Sequence, residues 1–127
     1  MPHILIVEDE PSTSWALSEG LADAGFTIDT FGTAEDAWEW LQGSRSDLVI
    51  SDLRLPGMSG IELARKLQRG PHAQPVILVT AYTPGRDDEM QRAGIVECFP
   101  KPFQIDQLRQ SVHRALAQAR PRRRTRR

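Results

Sequence analysis

Short apolar runs alternate along the chain with segments of helical periodicity. Four of the runs, HILIV, DLVIS, PVILVT and the shorter VECF, are mainly apolar, which is typical of strands buried on both faces of a sheet. The run that comes second in chain order, FTIDTF, alternates apolar and polar residues, as a half-exposed edge strand does. The pattern therefore predicts five strands.

The segments between these runs space their apolar residues three and four positions apart, which predicts helices. SWALSEGLADAG ends at Gly25, a typical C-terminal stop, and TAEDAWEWLQG begins with Thr33 and Asp36 at the spacing of a capping box. SGIELARKLQRG and QIDQLRQSVHRALAQA repeat the periodicity. The remaining segment, residues 83–94, has only two apolar residues, so we expect a short, weakly packed helix or a partly irregular segment there.

The regular alternation of strand and helix predicts an α/β fold. Five such units of this length favour a (βα)5 flavodoxin-like, doubly wound sandwich with a five-stranded parallel sheet in the strand order 2-1-3-4-5. In such folds the ligand site lies beyond the carboxyl ends of the strands, here between strands 1 and 3.

Composition and charge indicate the cellular location of the protein and its domain boundary. No apolar run is long enough for a signal peptide or a membrane span, and the single cysteine, Cys98, excludes an internal disulfide, so we expect a cytoplasmic protein without membrane contact. Residues 1–119 hold all 17 acidic residues and ten of the 16 basic ones, a net charge of −7, while the last eight residues contain six arginines. We therefore expect one domain over 1–119 and a disordered tail or linker start over 120–127.

Five polar residues stand where four of the predicted strands end: Glu8 and Asp9, Asp52, Thr80 and Lys101. Each alone is ordinary at a strand end, but a parallel sheet brings all five to one edge. Carboxylates this close repel each other unless a cation is present, and a hard divalent cation such as Mg²⁺ suits an all-oxygen site. An aspartate there can accept a phosphoryl group as a nucleophile, with a cation and a hydroxyl on the phosphoryl oxygens.

The motifs ILIVEDE, DLVISDLRLPGMSGIEL, VILVTA and KPF stand in this order in the chain. Over residues 3–117 the sequence resembles the receiver domain of two-component response regulators, of the kind found in chemotaxis regulators. The resemblance implies a bacterial phospho-accepting switch, which is not an enzyme, and a sensor histidine kinase or a phosphotransfer protein as the phosphodonor. It also implies an output through a downstream protein or a homodimer.

The resemblance also implies the site roles. It makes Asp52 the phospho-acceptor, Thr80 the switch hydroxyl and Lys101 the phosphate-binding cation. It places Mg²⁺ or Mn²⁺ among the carboxylates of Glu8, Asp9 and Asp52 and the backbone carbonyl of Arg54, and it implies a cis Lys101–Pro102 bond.

Three features depart from the family pattern. Cys98 stands where the family usually has tyrosine or phenylalanine. Thr80 and Lys101 are 21 positions apart, one fewer than is common in the family. Tyr82 and Arg54 occupy positions that flank the phosphate in the family. We interpret these departures as an atypical coupling on the face formed by the fourth helix, the fifth strand and the fifth helix.

Other functions remain alternatives. The chain can be the receiver fragment of a longer DNA-binding regulator. A phosphatase of the haloacid dehalogenase type needs a second acid where Arg54 stands, and the acidic sequence EDE would repel the phosphate of a flavin carrier. Trp15 is a candidate anchor for a docked kinase, and nucleic acid is a candidate partner only through the arginine run from Arg122 to Arg127.

Overall fold

The computed structural model describes residues 2–71, 73–81 and 88–124. Its strands are β1 (His3–Val7), β2 (Thr27–Phe31), β3 (Leu48–Ser51), β4 (Val76–Thr80) and β5 (Ile95–Pro100), and its helices are α1 (Pro11–Ala22), α2 (Ala34–Leu41), α3 (Gly60–Arg69), α4 (Asp88–Arg92) and α5 (Ile105–Arg124). The strands form one parallel sheet in the order β2-β1-β3-β4-β5. The predicted fold class and strand order are confirmed.

The sheet is covered on both faces, because successive strand residues point to opposite sides and both sides are apolar. In β1, Leu5 and Val7 belong to a core shared with α2, α3 and α4. Ile4 and Ile6 belong to a second core shared with α1 and α5. The edge strand β2 has no fully buried residue, as its alternating sequence predicts.

The helix boundaries follow local capping chemistry. The Thr33 hydroxyl accepts the N–H of Asp36 at 3.1 Å and begins α2. Ser59 begins α3, where Ser59 and Glu62 each accept the other's backbone N–H. After α1 the chain leaves through Gly25 with φ +94°, a conformation that glycine adopts without strain.

The fourth helix is short, as expected, with the five residues Asp88–Arg92. Its packing is tighter than expected, because Met90 and the following Ala93 are 7% and 2% exposed and belong to the core. Residues 82–87 lie outside the described residues, and with them Tyr82.

The last helix runs further than the sequence suggests. It continues to Arg124, so it includes part of the segment predicted as a tail or linker, and the domain boundary after residue 119 stays a prediction. No helix in the described part of the chain has the length and apolar character needed to cross a membrane.

Candidate functional site

Backbone hydrogen bonds hold the strand ends of the predicted site in register. The N–H of Asp52 donates to the carbonyl of Val7 at 3.0 Å, which fixes the end of β3 beside the end of β1. The N–H of Lys101 donates to the carbonyl of Thr80 at 2.9 Å, which fixes the residue after β5 beside the end of β4. The acids of the site therefore directly follow β1 and β3, and its cation, Lys101, directly follows β5.

One ammonium group lies between two buried carboxylates. The Nζ of Lys101 is 2.8 Å from Oδ2 of Asp52 and 3.1 Å from Oε1 of Glu8. The side chains of Lys101, Asp52 and Glu8 are 17%, 9% and 1% exposed. The sequence placed Lys101 near Asp52, but it did not predict this direct contact with both acids.

Burial sets the proton affinities of this cluster. Burial raises the pKa of Glu8 above its usual value, and this effect outweighs the hydrogen bond from the Glu10 N–H and the charge of Lys101. For Lys101, burial alone lowers the pKa, but the close contacts with the Asp52 and Glu8 carboxylates and their negative charges outweigh it and raise the pKa. The ammonium is therefore held in its charged form, whereas the charge on Glu8 is disfavoured.

The acids fit a hard divalent cation. Oxygens of Glu8, Asp9 and Asp52 lie within 4.8 Å of one another, and Asp9 is exposed to the solvent from which an ion would enter. The Oε1 of Glu8 is buried and accepts no hydrogen bond from the part of the chain that the structure describes, and it forms an ion pair of 3.1 Å with Nζ of Lys101. Such an all-oxygen, negatively charged donor set is one that Mg²⁺ or Mn²⁺ binds.

The loop after β3 presents the Asp52 carboxylate and is held from two sides. Oδ1 of Asp52 accepts the N–H of Arg54 at 3.2 Å. The chain turns at Gly57 with φ +78°, and the N–H of Met58 then donates to Oε2 of Glu35 at 2.7 Å. Sequence reasoning missed Glu35, because nothing local shows that a residue 23 positions earlier closes this loop.

Gly60 is a second residue that the sequence did not single out. Its N–H donates to the carbonyl of Leu53 at 3.0 Å. A Cβ at this position would overlap the carbonyl oxygen of Asp52 and lie 2.9 Å from Oγ of Ser51. The start of α3 thus packs directly against the backbone of Asp52, and only glycine leaves enough room.

Glu10 also lies closer to the site than expected. Its Oε1 is 3.9 Å from Nζ of Lys101 and accepts the hydroxyl of Thr13 at 2.7 Å. The sequence offers one signal for this position, because Glu10 is the third of three consecutive acids after β1. Where its side chain lies, however, depends on how α1 begins. The predicted cis Lys101–Pro102 bond is confirmed.

The predicted switch residues Thr80 and Cys98 lie on the neighbouring strands β4 and β5. Thr80 is 1% exposed at the end of β4. Cys98 is half-buried against the core shared with α2, α3 and α4, and burial raises the pKa of its thiol. Phe99 packs against the opposite core, so the only aromatic next to Cys98 in sequence points away from it.

Comparison with known sequences identifies the family. The sequence model of the response regulator receiver domain matches residues 4–113. The chain belongs to this family. The receiver is 33% identical over 115 residues to the DNA-binding transcriptional regulator NtrC of Escherichia coli, covering 90% of this chain and 24% of NtrC. It is 37% identical over 126 residues to the phosphate regulon transcriptional regulatory protein PhoB of Rhizobium meliloti, covering 95% of this chain and 55% of PhoB.

Solved structures give the same result. The receiver is similar to the response regulator TrrA of Thermotoga maritima in complex with Mg²⁺ and BeF, with a TM-score of 0.82, 34% identity and coverage of 91% of this chain and 99% of the other. It is also similar to the receiver domain of a histidine kinase from Syntrophus aciditrophicus, with a TM-score of 0.84, 32% identity and coverage of 94% and 93%. The chain spans between about a quarter and about half the length of its curated relatives.

Proposed function

We propose that this receiver accepts a phosphoryl group on Asp52 from the phosphohistidine of a sensor histidine kinase or a phosphotransfer protein. One observation carries the proposal: the buried carboxylate of Asp52 is 2.8 Å from the ammonium of Lys101 and within 4.8 Å of the oxygens of Glu8 and Asp9. This arrangement combines a nucleophile with a cation and with ligands for a metal ion. Phosphoryl transfer requires little more from a protein than such positioning and charge.

In the proposed transfer, an oxygen of Asp52 forms a bond to phosphorus while the bond from phosphorus to the imidazole nitrogen breaks. The electron pair of that bond stays on the nitrogen, so an imidazole ring that carries a proton on its other nitrogen leaves as neutral imidazole, and no further proton is needed. Lys101 exchanges its contact with the Asp52 carboxylate for a contact with a phosphoryl oxygen. Mg²⁺ or Mn²⁺, held by Glu8, Asp9, Asp52 and the carbonyl of Arg54, would neutralise charge on the phosphoryl group.

A groove beside Lys101 supports docking of the donor. Between α1 and the loop before α5 there is an open cavity of about 600 Å³, whose lining residues include Ser12, Ala16 and Phe103. Trp15 on α1 is 66% exposed. A large exposed aromatic near the groove suits an interface anchor, so we propose that the phosphodonor docks on this side.

The output surface is proposed to be the face of α4, β5 and α5. Oε1 of Glu97 on β5 accepts the hydroxyl of Ser111 at 2.6 Å and the guanidinium of Arg114 at 3.2 Å, both on α5. These bonds connect β5 to α5, so a displacement of β5 after phosphorylation would also move α5. With Cys98 at the position of the usual aromatic, we propose that this coupling acts in place of a rotating ring, and that the face contacts a downstream protein or a second copy.

The same site supports a switch and not an enzyme with a turnover cycle, since Asp52 retains the group as an aspartyl phosphate. Phosphatase chemistry of the haloacid dehalogenase type would need a second acid at Arg54. We further propose a bacterial cytoplasmic protein. The partial coverage of NtrC and PhoB also keeps the receiver portion of a longer DNA-binding regulator as an alternative.

The test is phosphorylation of the purified chain with acetyl phosphate or phosphoramidate in Mg²⁺, followed by intact mass measurement. We expect one added phosphoryl group in the wild type and none in Asp52→Ala. Asp106→Ala is the matched control, because the side chain of Asp106 is 81% exposed on α5. An unmodified wild type, or equal modification of Asp52→Ala, would contradict the proposal.

A further inference from the structure

The side chain of Glu35, on α2, contacts the far end of the loop of residues 52–59, which we call the acceptor loop. Oε2 of Glu35 accepts the N–H of Met58 at 2.7 Å, although 23 positions separate the two residues. The chain turns at Gly57 with φ +78° immediately before this bond. A Cβ at Gly57 would overlap Oε2 of Glu35 and lie 3.1 Å from its Cδ. The carboxylate therefore lies directly against the backbone of the turn.

The helix that carries Glu35 is fixed in place by the core. The hydroxyl of Thr33 caps α2 by accepting the N–H of Asp36, and the alanines on either side of Glu35 along the helix, Ala34 and Ala37, are fully buried. A carboxylate in the first turn of a helix is also favoured by the partial positive charge of the helix N-terminus. Glu35 therefore connects the acceptor loop to a well-packed element.

The acceptor loop has less support of its own. Residues 52–59 form neither helix nor strand, and the two ends of the loop meet where the N–H of Gly60 donates to the carbonyl of Leu53 at 3.0 Å. The apolar side chains between these ends, Leu55 and Met58, are only partly buried against the core. Packing therefore leaves part of the positioning of the loop to its hydrogen bonds, and a bond to a charged acceptor is stronger than one between neutral groups.

The groups that the proposed reaction needs beside the metal ion are on this loop. It begins with Asp52, the proposed nucleophile, and the backbone carbonyl of Arg54 is a proposed ligand of Mg²⁺. The N–H of Arg54 donates to Oδ1 of Asp52 at 3.2 Å, so a displacement of this peptide also disturbs the carboxylate. Because Mg²⁺ demands a nearly ideal octahedron of oxygens, a residue that positions the loop affects the affinity for the ion without contacting it.

We propose that Glu35 is a positioning residue of the phosphorylation site, which acts through Met58 and the acceptor loop on the affinity for Mg²⁺. This inference rests on the proposed function and its metal site. Glu35 is not among the acids whose oxygens gather around that site. The role belongs to the hydrogen bond and not to the negative charge, so it predicts a different behaviour for Asp36, the other acid in the first turn of α2.

The test is the Mg²⁺ affinity of the full chain, measured by isothermal titration calorimetry. In Glu35→Ala we expect binding that is weaker by about threefold to tenfold, since one hydrogen bond to a charged acceptor is lost. Glu35→Gln keeps a side-chain oxygen that can accept the N–H of Met58, so it should bind within about twofold of the wild type. Asp36→Ala is the matched control, because it removes an exposed carboxylate from the same helical turn, and it should also bind within about twofold.

Two further measurements separate positioning from a general loss of stability. Hydrogen exchange of the Met58 amide, followed by NMR, should be faster in Glu35→Ala than in the wild type, and near the wild-type rate in Glu35→Gln. In phosphorylation by acetyl phosphate, Glu35→Ala should need more Mg²⁺ for half of the maximal rate. It should nevertheless approach the wild-type rate at saturating Mg²⁺, because the bound ion then orders the loop.

The outcomes distinguish this inference from the proposed function. Equal Mg²⁺ affinities of Glu35→Ala and Asp36→Ala, or equal losses in Glu35→Ala and Glu35→Gln, would overturn the role of Glu35 and leave phosphorylation of Asp52 intact. A wild type that binds no Mg²⁺ would overturn the role of Glu35 together with the metal site. If the wild type binds Mg²⁺ but is not phosphorylated, the proposed function fails, and the affinities and the exchange of the Met58 amide still decide the role of Glu35.

Discussion

The substitution Gly60→Ala is expected to destabilise the protein and to displace the proposed acceptor loop. The new Cβ would overlap the carbonyl oxygen of Asp52 and would lie 2.9 Å from Oγ of Ser51 and 3.2 Å from the carbonyl carbon of Asp52. Two of these three atoms are backbone and cannot rotate away. The backbone on both sides of this contact is also held in place. The N–H of Asp52 donates to the carbonyl of Val7 and the N–H of Gly60 donates to the carbonyl of Leu53, each at 3.0 Å.

The magnitude follows from the cost of overpacking. Forcing an extra methyl group into a packed site costs about 1–3 kcal/mol, and the gain in helix propensity is about 1 kcal/mol at most. For 127 residues, an unfolding entropy of about 2 cal/mol/K per residue means that each kcal/mol lowers Tm by about 4 °C. Because the methyl group meets backbone atoms, the upper part of this cost, about 2–3 kcal/mol, applies. Less about 1 kcal/mol of helix propensity, it leaves about 1–2 kcal/mol, so we expect Tm to fall by about 4–8 °C, together with weaker Mg²⁺ binding and slower phosphorylation.

Thermal unfolding followed by circular dichroism, with and without Mg²⁺, measures the effect. Gly43→Ala is the matched control, because no atom lies within 4 Å of a Cβ built there and its φ is not positive. The control should melt within about 2 °C of the wild type. If Gly60→Ala melts like Gly43→Ala and is phosphorylated at the wild-type rate, the close packing of α3 against Asp52 is not what requires glycine.

Three other outcomes follow from the buried charges and the thiol. Because burial raises the pKa of Glu8, the stability that Glu8 contributes is fully present below about pH 4.5 and is lost as pH rises through the raised pKa. The metal-free Glu8→Gln variant should therefore melt higher than the wild type at pH 7 but gain less from Mg²⁺, and equal pH profiles of Tm would contradict this. Lys101→Met should lower the metal-free free energy of unfolding by less than the about 3–5 kcal/mol that breaking a fully buried pair costs, with a lower Tm, and Mg²⁺ should restore part of the loss; a Tm equal to that of the wild type would show that the ion pairs contribute nothing. Since burial raises the pKa of Cys98 above 9.0, iodoacetamide should alkylate it with a midpoint pH above that value, and a lower midpoint would refute the assigned burial.

The strand order and the gathering of the acids could be predicted because both depend on chain-wide patterns. Apolar runs separated by helical periodicity leave few packings that bury every strand, and a parallel sheet brings Glu8, Asp9, Asp52, Thr80 and Lys101 to one edge. The capping residues Thr33 and Ser59 act within one helical turn, so the starts of α2 and α3 can also be read locally.

The fourth helix shows where local pattern falls short. The segment has only two apolar residues, which predicts weak packing. Both of them, Met90 and Ala93, are nevertheless buried, because they pack into the core that α3 and β5 share. The bond from the Met58 N–H to Glu35 likewise depends on how α2 lies against the loop after β3, a relation that no short stretch of sequence contains.

The sequence by itself determined the fold class, the strand order and the identity of the residues at the site edge, since these follow from periodicity and from the geometry of parallel strands. Only the tertiary structure decided that one ammonium, that of Lys101, contacts both Asp52 and Glu8, that Gly60 must lack a side chain, and that Glu35 of α2 accepts the N–H of Met58. These features are distances of a few ångströms between residues far apart in the chain. They are set by the packing of whole elements, which a one-dimensional pattern does not specify.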